Sequence, residues 1–159
     1  MNTAALLGPW HPDRTLAWEN GQPITYRRFL SEVAALADQL PEKRTVINLA
    51  NNRYRFLVGL AAALVREQTT LLPPSRAPRA LIQIAGQYRN SYCLTNHDET
   101  IEGVLTCHIP NGEGPCAQNA RVPQIPIDHT AVVAFTSGST GSPRPNPKTW
   151  GSLVAVARS

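Results

Sequence analysis

Two hydrophobic rhythms alternate along the chain. Phe29, Val33, Leu36 and Leu40 recur at helical spacing behind Thr25, and Pro41 stops the run, so a first helix is predicted there. Thr25 is a side-chain cap for it, but Arg28 stands where a capping box would place an acid. TVINLA (Thr45 to Ala50) is a β-branched apolar run of strand length. Asn51 or Asn52 can then cap a second helix whose apolar face is Phe56, Leu57, Leu60, Ala61 and Leu64. TTLLP (Thr69 to Pro73) reads as a strand, residues 78–88 as a third helix with Pro78 in its first turn and Leu81, Ile82 and Ile84 apolar, and SYCLT (Ser91 to Thr95) as a further strand. GVLTCHI (Gly103 to Ile109) is a candidate fourth. AVVAF (Ala131 to Phe135) is a continuous apolar run that suits a strand buried on both faces.

Ahead of these, TLAWENG and QPIT form two extended pieces around an Asn20-Gly21 turn, behind a polar lead in which Trp10 and Trp18 are expected to pack. Residues 111–126, rich in Gly, Asn and Pro, read as a loop. Strands alternating with helices imply an α/β fold, a mostly parallel sheet with flanking helices and right-handed crossovers. In such sheets ligands gather at the carboxyl ends of the strands.

The 159 residues suit one domain, and 42% hydrophobic with 16% charged residues is ordinary for a globular protein. A formal charge of +4 spread over scattered Lys and Arg, never more than two adjacent, does not make a nucleic-acid footprint, though it suits an anionic ligand. No stretch approaches the ~20 apolar residues of a membrane span, and the N-terminus lacks a secretory pattern, so a cytoplasmic location is expected. Cys93, Cys107 and Cys116 are odd in number without a C-x-x-C pair and read as free thiols rather than as zinc ligands with His97 and His108. His11, His97, His108 and His129 are scattered and read as surface or satisfied histidines, so no catalytic residue and no metal ligand is assigned.

The chemistry gathers in TSGSTGSPRPNPK, directly after AVVAF. Gly138 and Gly141 remove Cβ atoms and let backbone N–H groups turn inward around an anion. Thr136, Ser137, Ser139 and Thr140 add hydroxyl donors without negative charge, and Arg144 and Lys148 can neutralise a polyphosphate. The stretch is not a Walker loop, because Ser142-Pro143 follows Gly141, and it contains no G-x-S-x-G nucleophile elbow.

AVVAFTSGSTGSPRP resembles the phosphate-loop signature of the adenylate-forming (AMP-binding) superfamily: acyl-CoA synthetases, aryl-CoA ligases and peptide-synthetase adenylation domains. Phe135 to Gly141 and Pro143 match it, and Asp128 matches an acidic residue commonly found just before the strand. PITYRRFLSEVAALADQL and TVINLANNRYRFLVGLAAALVREQTTLLPPS are similar to the family's opening helix and its following strand, helix and strand. Arg66-Glu67-Gln68 replaces its Ala-Gly turn. The likeness covers most of residues 15–153, and SPRPNPKTWGSL is similar to the branch found in bacterial aryl-polyene and related pigment pathways.

The resemblance implies an ATP- and magnesium-dependent ligase that activates a small-molecule carboxylate as an acyl-adenylate and passes it to the thiol of CoA or of an acyl carrier protein's phosphopantetheine. The loop would hold the ATP phosphates. It also implies that residues 1–159 are a partial N-terminal domain ending just after that loop, with the magnesium ligands, acyl pocket and C-terminal domain elsewhere, and so inactive alone, with apolar surface left around AVVAF and a helix beginning near Lys148. Trp150 occupies a position where the family often has a histidine or an aromatic, which suggests that it borders the acyl site. Two departures stand out: Arg144 replaces the family lysine, with Lys148 available as a substitute ammonium, and Pro145 replaces a glycine, removing an N–H. The alternative reading is a non-catalytic α/β module that binds a nucleotide or a partner.

Overall fold

The computed structural model describes residues 2–9, 11–111, 114, 116–136 and 141–159. After a short strand β1 (Thr3–Ala5), β2 (Thr15–Glu19) and β3 (Gln22–Thr25) form a hairpin. Its turn residues Asn20 and Gly21 both have positive φ, 50° and 76°, as a two-residue hairpin of the primed type requires. Thr25 then caps α1 (Tyr26–Ala37): its Oγ1 accepts from the Arg28 N–H at 3.2 Å. β4 (Thr45–Asn48) leads to α2 (Arg53–Val65), and of the two candidate caps Asn52 acts, accepting from the Arg55 N–H at 2.7 Å. β5 (Thr69–Leu72), α3 (Pro78–Gln87) and β6 (Ser91–Thr95) follow, with Pro78 in the first turn of α3.

The remaining elements depart further from the pattern reading. The fourth candidate strand shortens to β7 (Thr106–His108). The segment expected to be loop throughout contains β8 (Gln124–Pro126), which pairs antiparallel with β1, so the N-terminal lead is tied down by a strand. β9 (Thr130–Thr136) takes in AVVAF. The basic, proline-rich segment after it is a strand too, β10 (Arg144–Thr149), and the last helix, α4 (Trp150–Ala157), starts two residues beyond Lys148.

The main sheet runs β10-β9-β5-β4-β6-β7, parallel throughout except for β10, which closes one edge antiparallel to β9. Side chains alternate across it in rows. Val46 aligns with Thr70 and Tyr92, and Thr70 with Val132, on the face packed by α1 and α2; Ile47 aligns with Leu71 and Cys93, and Leu71 with Val133, on the face packed by Leu81 and Ile84 of α3. The two crossovers explain why the helices separate. From β4 the chain steps one way to β5, and from β5 it steps back past β4 to β6, so connections of one hand must lie on opposite faces. Thr70 is fully buried in its row, and its Oγ1 has no hydrogen-bond partner among the described residues.

Two apolar expectations fail on exposure. Trp18 is 68% exposed on the β2–β3 hairpin and does not pack, and Leu57 points outward from α2; Ile82 of α3 is exposed as well. Trp10 lies outside the described residues. AVVAF is largely buried, whereas α4 buries no residue fully and Val156 is 74% exposed. The cysteines form no disulfide: Cys93 is buried, Cys107 half-buried and Cys116 exposed.

Candidate functional site

β9 carries the signature stretch to the carboxyl end of the sheet. Thr136 is its last residue and is exposed, and Arg144, the first residue of β10, stands directly across the ladder from it. Ser137, Gly138, Ser139 and Thr140 lie outside the described residues. On the return side, Gly141 has φ +78°, a conformation that a side chain would strain, and nothing lies within 4 Å of where its Cβ would be. The described base of the candidate loop is therefore Thr136, Gly141 and Arg144.

The two cations assigned to this site part company. Arg144 pairs with Thr136, whereas Lys148 pairs with Val132, near the start of β9. Four strand residues at ~3.3 Å each put about 13 Å of β10 between them. Lys148 is thus not beside Arg144 at the loop but far down the strand, because the segment is extended and not folded back.

The strand also explains Pro145. Pro145 and Pro147 face Phe135 and Val133, and neither has an N–H to give, so the ladder donors must be Arg144, Asn146 and Lys148. The N–H that Pro145 lacks would have pointed off the sheet edge. Its absence costs no ladder bond and blunts the edge against further pairing.

Beside the loop base, a cleft of about 730 Å³ opens between α3 and the Gly141–Pro143 turn. Pro74, Ala77, Ala80 and Ile82 give it apolar walls, and Arg79 and Gln83 give it polar ones. Sequence reading treated α3 only as a packing helix and missed both.

A second polar assembly fills the carboxyl ends of β4 and β6. The strand order reverses there, which makes it the usual crevice for a ligand in an open α/β sheet. Here it is occupied by the chain itself. Asn96 accepts from the Asn51 N–H at 2.9 Å and donates to the Asn51 and Asn111 side chains. Arg76 donates to the Leu49 and Ala50 carbonyls at 3.0 and 2.7 Å and pairs with Glu99, which also meets His97 Nε2 at 3.0 Å. His97 is thus held in a network, and His129 likewise reaches the Gln68 carbonyl at 3.2 Å.

The most deeply buried charges are structural. Arg55 joins Glu19 at 2.6 Å and Glu32 at 3.2 Å, and Glu32 also takes Arg28 at 2.8 Å and the Tyr54 hydroxyl at 2.9 Å. Burial, then the neighbouring Glu32 carboxylate, raises the Tyr54 hydroxyl well above its ordinary value. The network ties the β2 strand to α1 and α2, away from β9. Trp150 donates its Nε1–H to the Ala4 carbonyl at 3.2 Å, so it anchors the N-terminal strand.

Among the described residues, no three or more His, Cys, Asp or Glu side chains form a group that could hold a metal ion. No described helix is long and apolar enough to cross a membrane.

No protein-family model matches the chain. Over 149 residues it is 29% identical to the Aspergillus fumigatus nonribosomal peptide synthetase fmqA, an alignment that takes in 84% of this chain and 4% of that protein. Among solved structures, it superposes on the Klebsiella oxytoca NpsA N-terminal subdomain in complex with 3-hydroxybenzoyl-AMSN with a TM-score of 0.67 at 19% identity, over 87% of this chain and 37% of that one. The Bacillus subtilis o-succinylbenzoate CoA synthetase MenE with its acyl-adenylate intermediate OSB-AMP gives 0.62 at 19% identity, over 87% and 40%. A malonyl-CoA ligase complex with methylmalonyl-CoA and AMP gives 0.72 at 19% identity, over 92% and 32%. The chain spans well under half the length of each of these proteins. Its mostly parallel sheet, antiparallel edge strand and flanking helices match the fold of part of the N-terminal subdomain of adenylate-forming enzymes.

Proposed function

We propose that this chain is the front portion of an ATP-dependent carboxylate-activating ligase, and that residues 136–141 with Arg144 hold the phosphates of ATP. The observation that carries the reading is the hairpin base: TSGSTG leaves the carboxyl end of a buried parallel strand, and Arg144 returns opposite Thr136. A guanidinium there can take two phosphate oxygens at once and offset charge on the transferring group. Hydroxyls along the loop add donors without repulsion. This chain's contribution is to bind and orient the polyphosphate; the reaction it would serve is attack of a carboxylate on the α-phosphate, followed by transfer of the acyl group to a thiol.

The carboxylate would be a small molecule. The aryl ligand of NpsA and the likeness of SPRPNPKTWGSL to the pigment-pathway branch make aryl acids the first to assay. The thiol would belong to CoA or, in line with the peptide-synthetase relative, to a carrier protein's phosphopantetheine.

The test is ATP binding by the 159-residue chain, followed by calorimetry. Arg144→Ala is expected to weaken it about ten- to a hundredfold, the loss of one charge-assisted contact of ~1.5–3 kcal/mol. ATP affinity that survives this change overturns the assignment of Arg144 to the phosphates, and absence of ATP binding by the unaltered chain overturns the assignment of the loop. Binding without carboxylate-dependent pyrophosphate exchange in the protein that carries this chain would favour the non-catalytic module instead.

A further inference from the structure

The displacement of Lys148 leaves Arg144 as one cation for a ligand that carries several negative charges. The cleft between α3 and the Gly141–Pro143 turn supplies another. α3 starts at the carboxyl end of β5, the turn lies at the carboxyl end of β9, and the two strands are parallel neighbours, so both walls border the same end of the sheet. Arg79 is the only charged residue among the described lining residues, with no carboxylate to offset it. Gln83 is one helical turn further on, and positions i and i+4 share a face.

The pairing state of Arg79 separates it from the chain's structural arginines. Arg27, Arg28, Arg55 and Arg76 are each engaged by a carboxylate. Neither the Arg79 nor the Gln83 side chain has a hydrogen-bond or ion-pair partner among the described residues. Both side chains face an open cleft that also exposes the turn closing the candidate phosphate loop.

We propose that Arg79 is a second phosphate-binding residue, reaching the polyphosphate from the α3 side of the cleft with the Gln83 amide as a further donor. This rests on the loop's reading as a phosphate site and adds to it the wall from which the second charge comes. The ligand class is a polyphosphate chain, free or as the tail of a nucleoside triphosphate. The volume of the cleft, ~730 Å³, is in the range of small-molecule sites.

The experiment is titration of the 159-residue chain with inorganic tripolyphosphate, read by calorimetry at fixed ionic strength. Arg79 is exposed, so its replacement is compatible with folding, and circular dichroism checks this. Arg79→Ala is expected to weaken binding at least fivefold, Arg79→Lys to recover part of the loss, and Arg158→Ala, at the far end of α4, to change nothing. Loss in Arg144→Ala with none in Arg79→Ala overturns the Arg79 assignment and leaves the loop. Loss in Arg79→Ala with none in Arg144→Ala supports the cleft and overturns the loop cation. Equal loss in Arg158→Ala reduces the effect to overall charge and overturns the proposal. Absence of binding by the unaltered chain overturns both readings.

Discussion

Arg144 stands directly opposite Thr136 in the antiparallel ladder, while Lys148 stands opposite Val132. One short strand therefore sorts two cations that look interchangeable in sequence. The ~13 Å of strand between them exceeds the ~8 Å Debye length at physiological salt, so a phosphate at the hairpin base feels Arg144 and is screened from Lys148. Lys148→Ala is accordingly expected to change tripolyphosphate affinity less than twofold in 0.15 M salt. An effect matching that of Arg144→Ala would show that the segment folds back over the loop in the bound state.

How much of this was legible in the sequence follows from which signals are local. α1, α2 and α3 and the strands β4, β5, β6 and β9 were readable because apolar period, caps and prolines act within a few residues. β10 was not. Its alternating Pro145 and Pro147 look like breakers, and only an edge position antiparallel to β9 makes them compatible with a strand. β1 and β8 are three residues each and exist only through one another, across more than a hundred residues of chain. The loop composition was visible at once, but which cation stands beside it was not, since that depends on the register of a strand the pattern had hidden. The contact of Asn51 with Asn96, 45 residues apart, likewise requires the strand order.

The Arg55 network makes a prediction about stability. Arg55 and Glu32 side chains are 3% and 5% exposed, so removing the guanidinium leaves Glu19 and Glu32 facing each other with their compensating charge reduced. Arg55→Met is expected to destabilise the fold by about 3–5 kcal/mol, the usual cost of breaking a buried pair from one side. Glu19→Gln should cost less, since that carboxylate reaches solvent. Urea unfolding midpoints check both, and a near-neutral Arg55→Met would show that water already enters the site.

Burial pushes the Cys93 thiol up from 9.0 to about 11, with the Glu99 carboxylate adding to the shift. The group is neutral when protonated, so the fold favours the protonated form and the unfolded chain loses the proton first. The contribution is whole below pH 9 and is lost as pH rises from 9 towards 11. From pH 8 to 9.5 this amounts to about 1 kcal/mol. Tyr54 and Tyr92, also raised by burial, act nearer pH 10 and above and remain in any Cys93 variant. Unfolding free energies of Cys93→Ala should therefore fall less steeply over that interval, by about 1 kcal/mol; parallel slopes would place the Cys93 thiol in contact with solvent.

Thr70 offers the opposite case, a native residue that is expected to improve on replacement. Its side chain lies in the row between Val46 and Val132, fully buried, and its hydroxyl finds no partner there. Valine has nearly the same shape, keeps the β-branched preference for a strand and removes the desolvated hydroxyl. Thr70→Val should raise stability by about 1 kcal/mol and leave tripolyphosphate affinity unchanged, because the row faces α2 and not the cleft. Chemical denaturation of the two proteins side by side decides it. A loss of stability on the valine substitution would mean that the hydroxyl is bonded in solution, with a buried water as the partner.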